Sequence, residues 1–242
     1  MLQSVYICLS NKFKAVLASQ QFLLHNQNLW LSVDRSIYWE NQKTLIVSDT
    51  HFGKTGHFRK SGIAVPQNVY KEDLQRLVSQ LQYYKPVQLV IVGDLFHSVM
   101  NKELDFFKRW RSDFSQLHIQ LVKGNHDVLK KDWYTSNNIS VSDSHLHIGN
   151  FCFVHDIKEA CEPSPAIDYY FSGHIHPCVT LSGTGKQSLK FSCYYFTRTF
   201  AVLPAFGKFT GTSTIEQKHA DHVFAIIPSN PAKGEQGAVV KM

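Results

Sequence analysis

Short apolar runs that end abruptly in Asp, Asn or His recur along this chain of 242 residues, and they limit the possible folds more than any other feature. Five runs of strand length show the pattern, at 45–47, 89–92, 119–122, 151–154 and 169–171, and the polar residues that follow them are Asp49, His51, Asp94, Asn125, His155, His174 and His176. β-branched and aromatic residues dominate the runs, which is typical of buried strands. In sheets built from strand–helix–strand units, ligands bind beyond the carboxyl ends of the strands, so the runs predict one shared site.

The segments between the runs predict the layers around these strands. Apolar residues recur at helical spacing from Tyr70 to Tyr84 and from Leu104 to Leu117, which favours two helices that cover a sheet. Beyond Gly124 the pattern changes to that of β-hairpins. We therefore predict an α/β fold in which two packed, mixed β-sheets are flanked by helices. Residues 1–242 are expected to form a single domain, with a core at about 29–227 and a flexible tail at 228–242.

Net charge and cysteine content bear on the kind of partner that the protein binds and on the compartment in which it is found. The net charge of +6 fits either an anionic partner, such as nucleic acid or a phosphate ester, or simply a basic surface, and both readings stay open. The five cysteines are odd in number and form no CxxC pair, which disfavours a disulfide framework and favours a reducing compartment. The apolar stretch at 5–9 is too short to cross a membrane. We expect a cytoplasmic protein without a membrane partner.

The residue types at the strand ends are those that bind divalent metals. Asp49 and His51 are two residues apart, so their side chains leave an extended segment on the same side, and His174 and His176 repeat this arrangement. The carboxylate of Asp94 has two oxygens and could bridge two cations. Mixed oxygen and imidazole ligation suits Mn²⁺, Fe²⁺ or Zn²⁺, and the absence of thiolates argues against a structural zinc site.

These motifs resemble those of the calcineurin-like metallophosphoesterase family. They are D-x-H (Asp49, His51), G-D (Gly93, Asp94), G-N-H-D (124–127), a lone His (His155) and G-H-x-H (173–176), and they occur in the family's order. The resemblance implies a metallophosphoesterase αββα sandwich and two metals, one held by Asp49, His51, Asp94 and His176 and the other by Asp94, Asn125, His155 and His174. It also implies that His126 protonates the leaving oxygen without binding a metal, and that Asp127 orients His126.

A narrower resemblance extends outside the metal motifs. Segments 29–39, 49–54, 57–66, 93–98, 173–177 and 203–207 are similar to the bacterial ligase-associated DNA damage response phosphoesterases, endonucleases often encoded beside an ATP-dependent DNA ligase. This resemblance covers about residues 29–211. It implies DNA as the substrate and a functional link to a DNA ligase.

The chain departs from the family pattern at two positions. His97 stands where much of the wider family has Asp, so we place it at the cleft rim or behind the ligands and leave it out of the metal set. Asp156 follows His155 where a glycine is usual, and His145 and His147 compete for the same role. We prefer His155 because it lies at a strand end like the other ligands.

The residues that follow the first motif could contact the substrate. Lys54 and Arg59 could meet a phosphodiester backbone, and Arg59 is the best candidate because guanidinium pairs bidentately with phosphate. His97 is a third candidate for a substrate contact. The alternative for the segment from Lys54 to Pro66 is a solvated loop without a role in binding.

Three functions fit the sequence, and the first is favoured. It is a two-metal phosphodiesterase or nuclease acting on DNA in repair, with Mn²⁺ as the favoured ion and Fe²⁺, Zn²⁺, Mg²⁺ or a mixture as alternatives. The second is a phosphatase or phosphodiesterase for a small nucleotide. The third, a non-catalytic interaction module, is disfavoured because the ligand set and His126 are intact.

Overall fold

Two β-sheets form the framework of the protein. The computed structural model describes residues 18–54, 68–97, 102–160, 167–182 and 188–242. The strands of the first sheet are β1 (Ser19–Leu24), β2 (Gln27–Ser32), β3 (Ile37–Trp39), β4 (Thr44–Ser48), β5 (Gln88–Val92), β6 (His118–Val122) and β7 (Ile139–Ser142). Those of the second are β8 (His145–Ile148), β9 (Phe151–Val154), β10 (Tyr169–Ser172), β11 (Pro177–Ser182), β12 (Ser188–Phe196), β13 (Phe200–Val202), β14 (Ser213–Thr214), β15 (His222–Ile227) and β16 (Ala238–Lys241).

The first sheet has the order β1-β2-β3-β4-β5-β6-β7, and its strand pairing changes from antiparallel to parallel at β4. Strands β1 to β4 run antiparallel, whereas β4, β5, β6 and β7 run parallel. The parallel connections contain the helices α1 (Asn68–Tyr84), α2 (Lys102–Asp113) and α3 (Lys131–Ser136). The two predicted helices are therefore present, and the parallel strands place their carboxyl ends along one edge.

Successive residues of β4 in the first sheet pack on opposite faces and belong to two different apolar cores. Leu45 and Val47 pack with the helical residues Leu77 and Phe107 in one apolar cluster. Ile46, between them in sequence, belongs to a second cluster that includes residues of both sheets. This period of two is the one expected of a strand buried on both faces.

The second sheet is also mixed, and its two predicted hairpins are present. Strand β10 runs parallel to β9 and β13, while β8 and β9 pair antiparallel around Gly149-Asn150. Strands β11 and β12 form the other antiparallel pair, and their connection at 183–187 lies outside the described residues. Apolar residues of this sheet such as Phe153 and Phe171 fill the space between the sheets. The predicted α/β fold with two mixed sheets is confirmed.

The layers and the tail differ from the prediction in detail. Within the described ranges, the α-helices belong to the crossovers of the first sheet, and the outer face of the second sheet carries a 3-10 turn at Ile157–Glu159. The prediction of a flexible tail at 228–242 is wrong for its last part, because β16 pairs antiparallel with β15. That pairing satisfies backbone groups at the edge of the sheet, and Val239 packs against the core between the sheets. Ordered strands also begin before residue 29, with β1.

Within the described ranges, no helix combines the length and the apolar character that crossing a membrane requires.

Candidate metal centre

The predicted ligands come together where the carboxyl ends of the strands of both sheets meet. Ser48, Val92 and Val122 are in register at the ends of β4, β5 and β6, so the residues that follow them emerge side by side. The two sheets are joined at this point, because the backbone N–H of His174 donates to Oδ2 of Asp49 at 3.0 Å. All seven predicted ligands therefore line one junction between the sheets.

One group of donors consists of Asp49, His51 and His176. One ligand atom from each of these residues lies within 4.8 Å of the others. Nε2 of His176 is 3.3 Å from Oδ1 of Asp49, while both ring nitrogens of His51 are buried and have no hydrogen-bond partner among the described residues. A buried polar atom that lacks a partner costs about 1–3 kcal/mol, and a cation would remove that cost.

A second group surrounds His155. Asp49, Asp94 and His155 also have ligand atoms within 4.8 Å of one another. Nε2 of His155 is 3.0 Å from Oδ1 of Asn125 and 3.2 Å from Nδ1 of His174. Three lone-pair donors therefore converge on one point, as the second predicted ligand set requires. The sequence assigned Asp49 to the first set alone, whereas its carboxylate lies within reach of both groups.

Asp94 lies between the two groups. Its Oδ2 is 3.8 Å from Nε2 of His51 and 3.6 Å from Nε2 of His155. Its other oxygen, Oδ1, accepts the backbone N–H of His126 at 2.9 Å. One oxygen of Asp94 thus anchors the loop that follows β6, while the other faces both groups, which is the arrangement expected of a bridging ligand.

The electrostatics of the junction fit divalent cations. Burial lowers the pKa of His51 to about 3, so its imidazole is neutral and offers a lone pair. Burial alone would raise the pKa of Asp49, but the neighbouring His176 and His155 lower it below its usual value. Burial raises the pKa of Asp94 more than His155 and the His126 amide lower it. A buried carboxylate whose charge is penalised in this way is stabilised by a cation.

Five of the predicted ligands have strained backbones. The φ angles of Asp49, His51, Asp94, His174 and His176 are 51°, 47°, 53°, 66° and 54°. Residues other than glycine rarely adopt this left-handed conformation, and each instance costs about 1–2 kcal/mol. Strain of this kind persists where the surrounding contacts enforce it, and it concentrates at functional sites.

Two comparisons with known proteins bear on this junction. The family model for calcineurin-like phosphoesterases matches residues 42–154, which include Asp49, Asp94 and Asn125. The solved structure of the Pseudomonas putida nuclease MPE is similar to this chain with a TM-score of 0.72 and 29% sequence identity, over 86% of this chain and 96% of that one. Residues 42–154, just under half of the chain, thus match the calcineurin-like phosphoesterase family. Together with the similarity to the nuclease structure, this match identifies the protein as a metal-dependent hydrolase.

Two further solved structures are more remote from this chain. A protein of unknown function from Aquifex aeolicus, AQ665, has a TM-score of 0.39 and 17% identity, over 59% of this chain and 82% of that one. The phosphoesterase Yfce from E. coli has a TM-score of 0.38 and 15% identity, over 75% and 86%. No curated protein matches the sequence. These remote similarities add nothing to the assignment.

Several groups that support the ligands were not predicted from the sequence. The Oγ of Ser48 contacts Oδ2 of Asp49 and donates to the carbonyl of Val92 at 2.9 Å. The carbonyl oxygen of Gly211 lies 3.0 Å from Nδ1 of His176, which leaves Nε2 of that ring to face Asp49. Carbonyl groups commonly fix metal-binding histidines in this way. Gly211 is 35 residues from His176, so no local sequence signal could have identified it.

His126 and Asp127 of the phosphoesterase occupy different environments. The ring of His126 is half-buried, with its centroid 5.5 Å from that of His51 and 4.6 Å from that of His97. Asp127 is buried and accepts the backbone N–H groups of Gly124 and Phe96 at 2.9 and 3.2 Å. In the described part of the chain, its carboxylate hydrogen bonds brace the loop rather than the His126 ring. Asp127 would therefore act on His126 through the backbone.

The residues predicted to contact substrate are only partly described. Lys54 is half-buried, and burial lowers its pKa although the charges of Asp94 and Asp49 oppose that shift. The ring of the half-buried His97 lies 4.6 Å from that of His126 and 5.6 Å from that of His51. Arg59 and the rest of the loop at 55–66 lie outside the described residues.

His145 and His147, the two alternatives to His155, lie in a different environment. The rings of His145 and His147 pack against each other at 5.1 Å on the exposed side of β8. Asp156 Oδ2 lies 3.9 Å from Nε2 of His174. Because His155 is the histidine that contacts Asn125 and approaches Asp94, the geometry favours it over the two competitors.

Gly93 provides a test of how closely the two sheets approach at the centre. Its φ is +77°, and a Cβ there would lie 1.8 Å from Nδ1 of His155. We expect Gly93→Ala to displace His155, to destabilise the fold and to lower metal-dependent activity. Gly149→Ala is a matched control, because Gly149 has a φ of +55° but a Cβ there would meet nothing closer than 3.8 Å.

The free energy of unfolding of Gly149→Ala should fall by only about 1–2 kcal/mol, which is the cost of placing an alanine in the left-handed backbone conformation. Chemical denaturation of both variants measures the difference. If Gly93→Ala were no less stable than Gly149→Ala and retained full activity, the close approach of His155 would be refuted.

Proposed function

We propose that this protein is a two-metal phosphodiesterase that cleaves DNA and acts in DNA repair, in functional connection with a DNA ligase. The observation that carries the proposal is the similarity to the P. putida nuclease, which extends over 86% of this chain. The segments outside the metal motifs that resemble ligase-associated phosphoesterases support the same substrate. We further propose a cytoplasmic location, which suits the buried side chains of Cys152, Cys178 and Cys193, since none of them forms a disulfide with another described residue.

The proposed ligand sets follow the two groups of donors. Asp49, His51, Asp94 and His176 would hold one cation, and Asp94, Asn125, His155 and His174 would hold the other. Two divalent cations, with Mn²⁺ as the favoured ion, would supply Lewis acidity toward the phosphoryl group and lower the pKa of water. His126, whose backbone is fixed by Asp94, would donate a proton to the leaving oxygen.

Side chains around the centre offer contacts to a nucleic acid. Lys54 carries a positive charge close to the two carboxylates and would meet a phosphate. Val128 and Phe209 are 59% and 43% exposed. Val128 directly follows the His126–Asp127 pair, and Phe209 lies between Gly207 and Gly211, whose backbones contact Asp49 and His176. An exposed aromatic ring in this position could stack on a base.

A panel of metals and substrates tests the proposal directly. The purified protein would be assayed with Mn²⁺, Mg²⁺, Zn²⁺ or no added metal on single- and double-stranded DNA, RNA, cyclic nucleotides and bis-nitrophenyl phosphate. We expect Mn²⁺-dependent cleavage of DNA whose rate falls as salt is added, because cations displaced from the phosphates return at high salt. Phe209→Ala should weaken cleavage of DNA but not of bis-nitrophenyl phosphate, which has no nucleobase.

Other results of the panel would favour a different substrate or a different binding surface. Efficient hydrolysis of cyclic nucleotides with no cleavage of any polynucleotide would favour the small-molecule alternative. DNA cleavage that is insensitive to salt would argue against Lys54 and its neighbours as a surface for the phosphate backbone.

A further inference from the structure

The segment 205–208, which follows β13 of the second sheet, packs directly against the motif that contains Asp49 and His51. The backbone N–H of Phe206 donates to the carbonyl of Ser48 at 2.7 Å, and that of Gly207 donates to the carbonyl of Asp49 at 3.1 Å. A Cβ at Gly207 would lie 2.7 Å from the carbonyl oxygen of Thr50, so only glycine allows this approach. We call residues 205–208 the bracing loop, because they bind the backbone carbonyls of Ser48 and of the strained Asp49.

Two arginines hold the opposite side of the bracing loop. Nη1 of Arg35 donates to the carbonyls of Ala205 and Gly207, each at 3.3 Å. Nη2 of Arg76 donates to the carbonyl of Phe206, and its guanidinium lies 4.2 Å from the centre of the Phe206 ring. Three consecutive carbonyl groups are therefore bound by guanidinium groups from outside the loop.

An acidic residue completes the contact. Asp73 pairs with Arg76 at 3.0 Å, and its other carboxylate oxygen accepts the backbone N–H of Lys208 at 3.2 Å. The side chains of Asp73 and Arg76 are only 7% and 11% exposed. Every residue of the bracing loop is thus held by a charged side chain from α1 or from the turn after β2.

This arrangement is not one that stability alone favours. Burial and the nearby charge of Arg76 lower the pKa of Arg35 to about 10, and burial lowers that of Arg76. Two guanidinium groups that lie this close together and largely out of water carry a desolvation cost, which the nearby carboxylates of Asp34 and Asp73 offset only in part. The contacts to the loop carbonyls are what distinguish these arginines from ordinary buried ion pairs.

We infer that Arg35 and Arg76 are positioning residues of the metal centre. By fixing the carbonyls of the bracing loop, they hold the amides of Phe206 and Gly207 against Ser48 and Asp49. Those amides in turn keep the 49–51 segment in the conformation that directs Asp49 and His51 at the metal. This inference rests on the metal centre of the proposed function and is independent of the substrate.

Mn²⁺ binding tests this inference without any assay of activity. Arg35→Met and Arg76→Met remove the donors and nearly preserve side-chain length. Arg111→Met is a matched control, because Arg111 also donates to backbone carbonyls, those of Phe114, Leu117, Asn137 and Asn138, and none of these contacts a predicted ligand. Binding would be followed by the electron paramagnetic resonance signal of free Mn²⁺, and stability by the Tm of the metal-free protein.

We expect the Kd for Mn²⁺ to rise about tenfold or more in Arg35→Met and Arg76→Met, as it does when groups that orient metal ligands are lost. The lysine variants at both positions should bind Mn²⁺ with intermediate affinity, since lysine can still donate to a carbonyl. Arg111→Met should lower Tm without changing the Kd.

Two outcomes would overturn the inference. The first is a normal Kd in both methionine variants with a lowered Tm, and the second is an equal rise in Kd in Arg111→Met. If the methionine variants do not fold, Gly207→Ala decides the question, because it disturbs the loop at Thr50 and must also raise the Kd. A wild-type protein that binds no Mn²⁺ would overturn the metal centre as well, whereas normal Mn²⁺ binding without DNA cleavage would overturn only the substrate.

Discussion

Asp94→Asn should abolish activity, with a fall in kcat/KM of about 10³-fold or more, at least as large as the loss of one transition-state donor in other enzymes. Oδ1 of Asp94 accepts the His126 amide, and Oδ2 faces both His51 and His155. An asparagine that keeps its oxygen on the His126 amide must turn its NH₂ group toward the metals. That group has no lone pair to donate, so both proposed sites lose their shared ligand.

Hydrolysis of bis-nitrophenyl phosphate at saturating Mn²⁺, together with the metal content of the protein, measures this effect. Asp105→Asn is the control, since Asp105 lies on α2 with its side chain 72% exposed and pairs with Lys108 at 3.9 Å. It should retain normal activity and metal content. Full metal content and unreduced activity in Asp94→Asn would remove Asp94 from the centre.

The strand ends could be predicted from the sequence because their cause is local. A run such as Leu89 to Val92 is fully apolar and buried on both faces, and the polar residue that follows it must leave the sheet. Parallel pairing of β4, β5 and β6 then brings Asp49, Asp94 and Asn125 to one edge without further information. The helices followed from apolar periodicity for the same reason.

The contacts that shape the site depend on residues far apart in sequence. The carbonyl of Gly211 beside His176 and the bracing loop against Asp49 carry no pattern that a strand or a helix would show. Left-handed backbones at Asp49 and Asp94 are also unexpected, because such positions usually carry glycine. They arise from contacts between the two sheets, which the order of residues alone does not specify.

The carboxyl terminus was mispredicted for a related reason. Gly, Pro, Lys and Gln after Pro228 favour loops, and this preference is met by the turn at Pro231–Lys233. Strand β16 forms because the edge of β15 offers unpaired backbone groups to it. The four residues of β16 are too few to show a strand pattern in the sequence. Predicting this strand would have required knowing beforehand that the edge of β15 is available for pairing.

His126→Ala should produce the second large effect, and one that depends on the leaving group. The His126 ring is half-buried beside the centre, and in the described part of the chain its side chain belongs to neither group of clustered metal donors. General acid catalysis contributes about 10²–10⁴-fold where the leaving oxygen needs a proton. We expect a loss of this size on a DNA phosphodiester, whose leaving alkoxide is strongly basic. The loss on bis-nitrophenyl phosphate should be much smaller, because nitrophenolate leaves without protonation.

The ratio of kcat/KM for the two substrates isolates this role from general damage to the site. A distorted metal centre would slow both reactions alike, whereas loss of the acid slows only the reaction that needs the proton. His219→Ala, at an exposed histidine in the segment before β15, should change neither rate. Equal losses on both substrates in His126→Ala would mean that His126 serves the metals or the binding of phosphate instead. The proton would then have to come from another group, and His97, whose ring lies 4.6 Å away, would be the first to test.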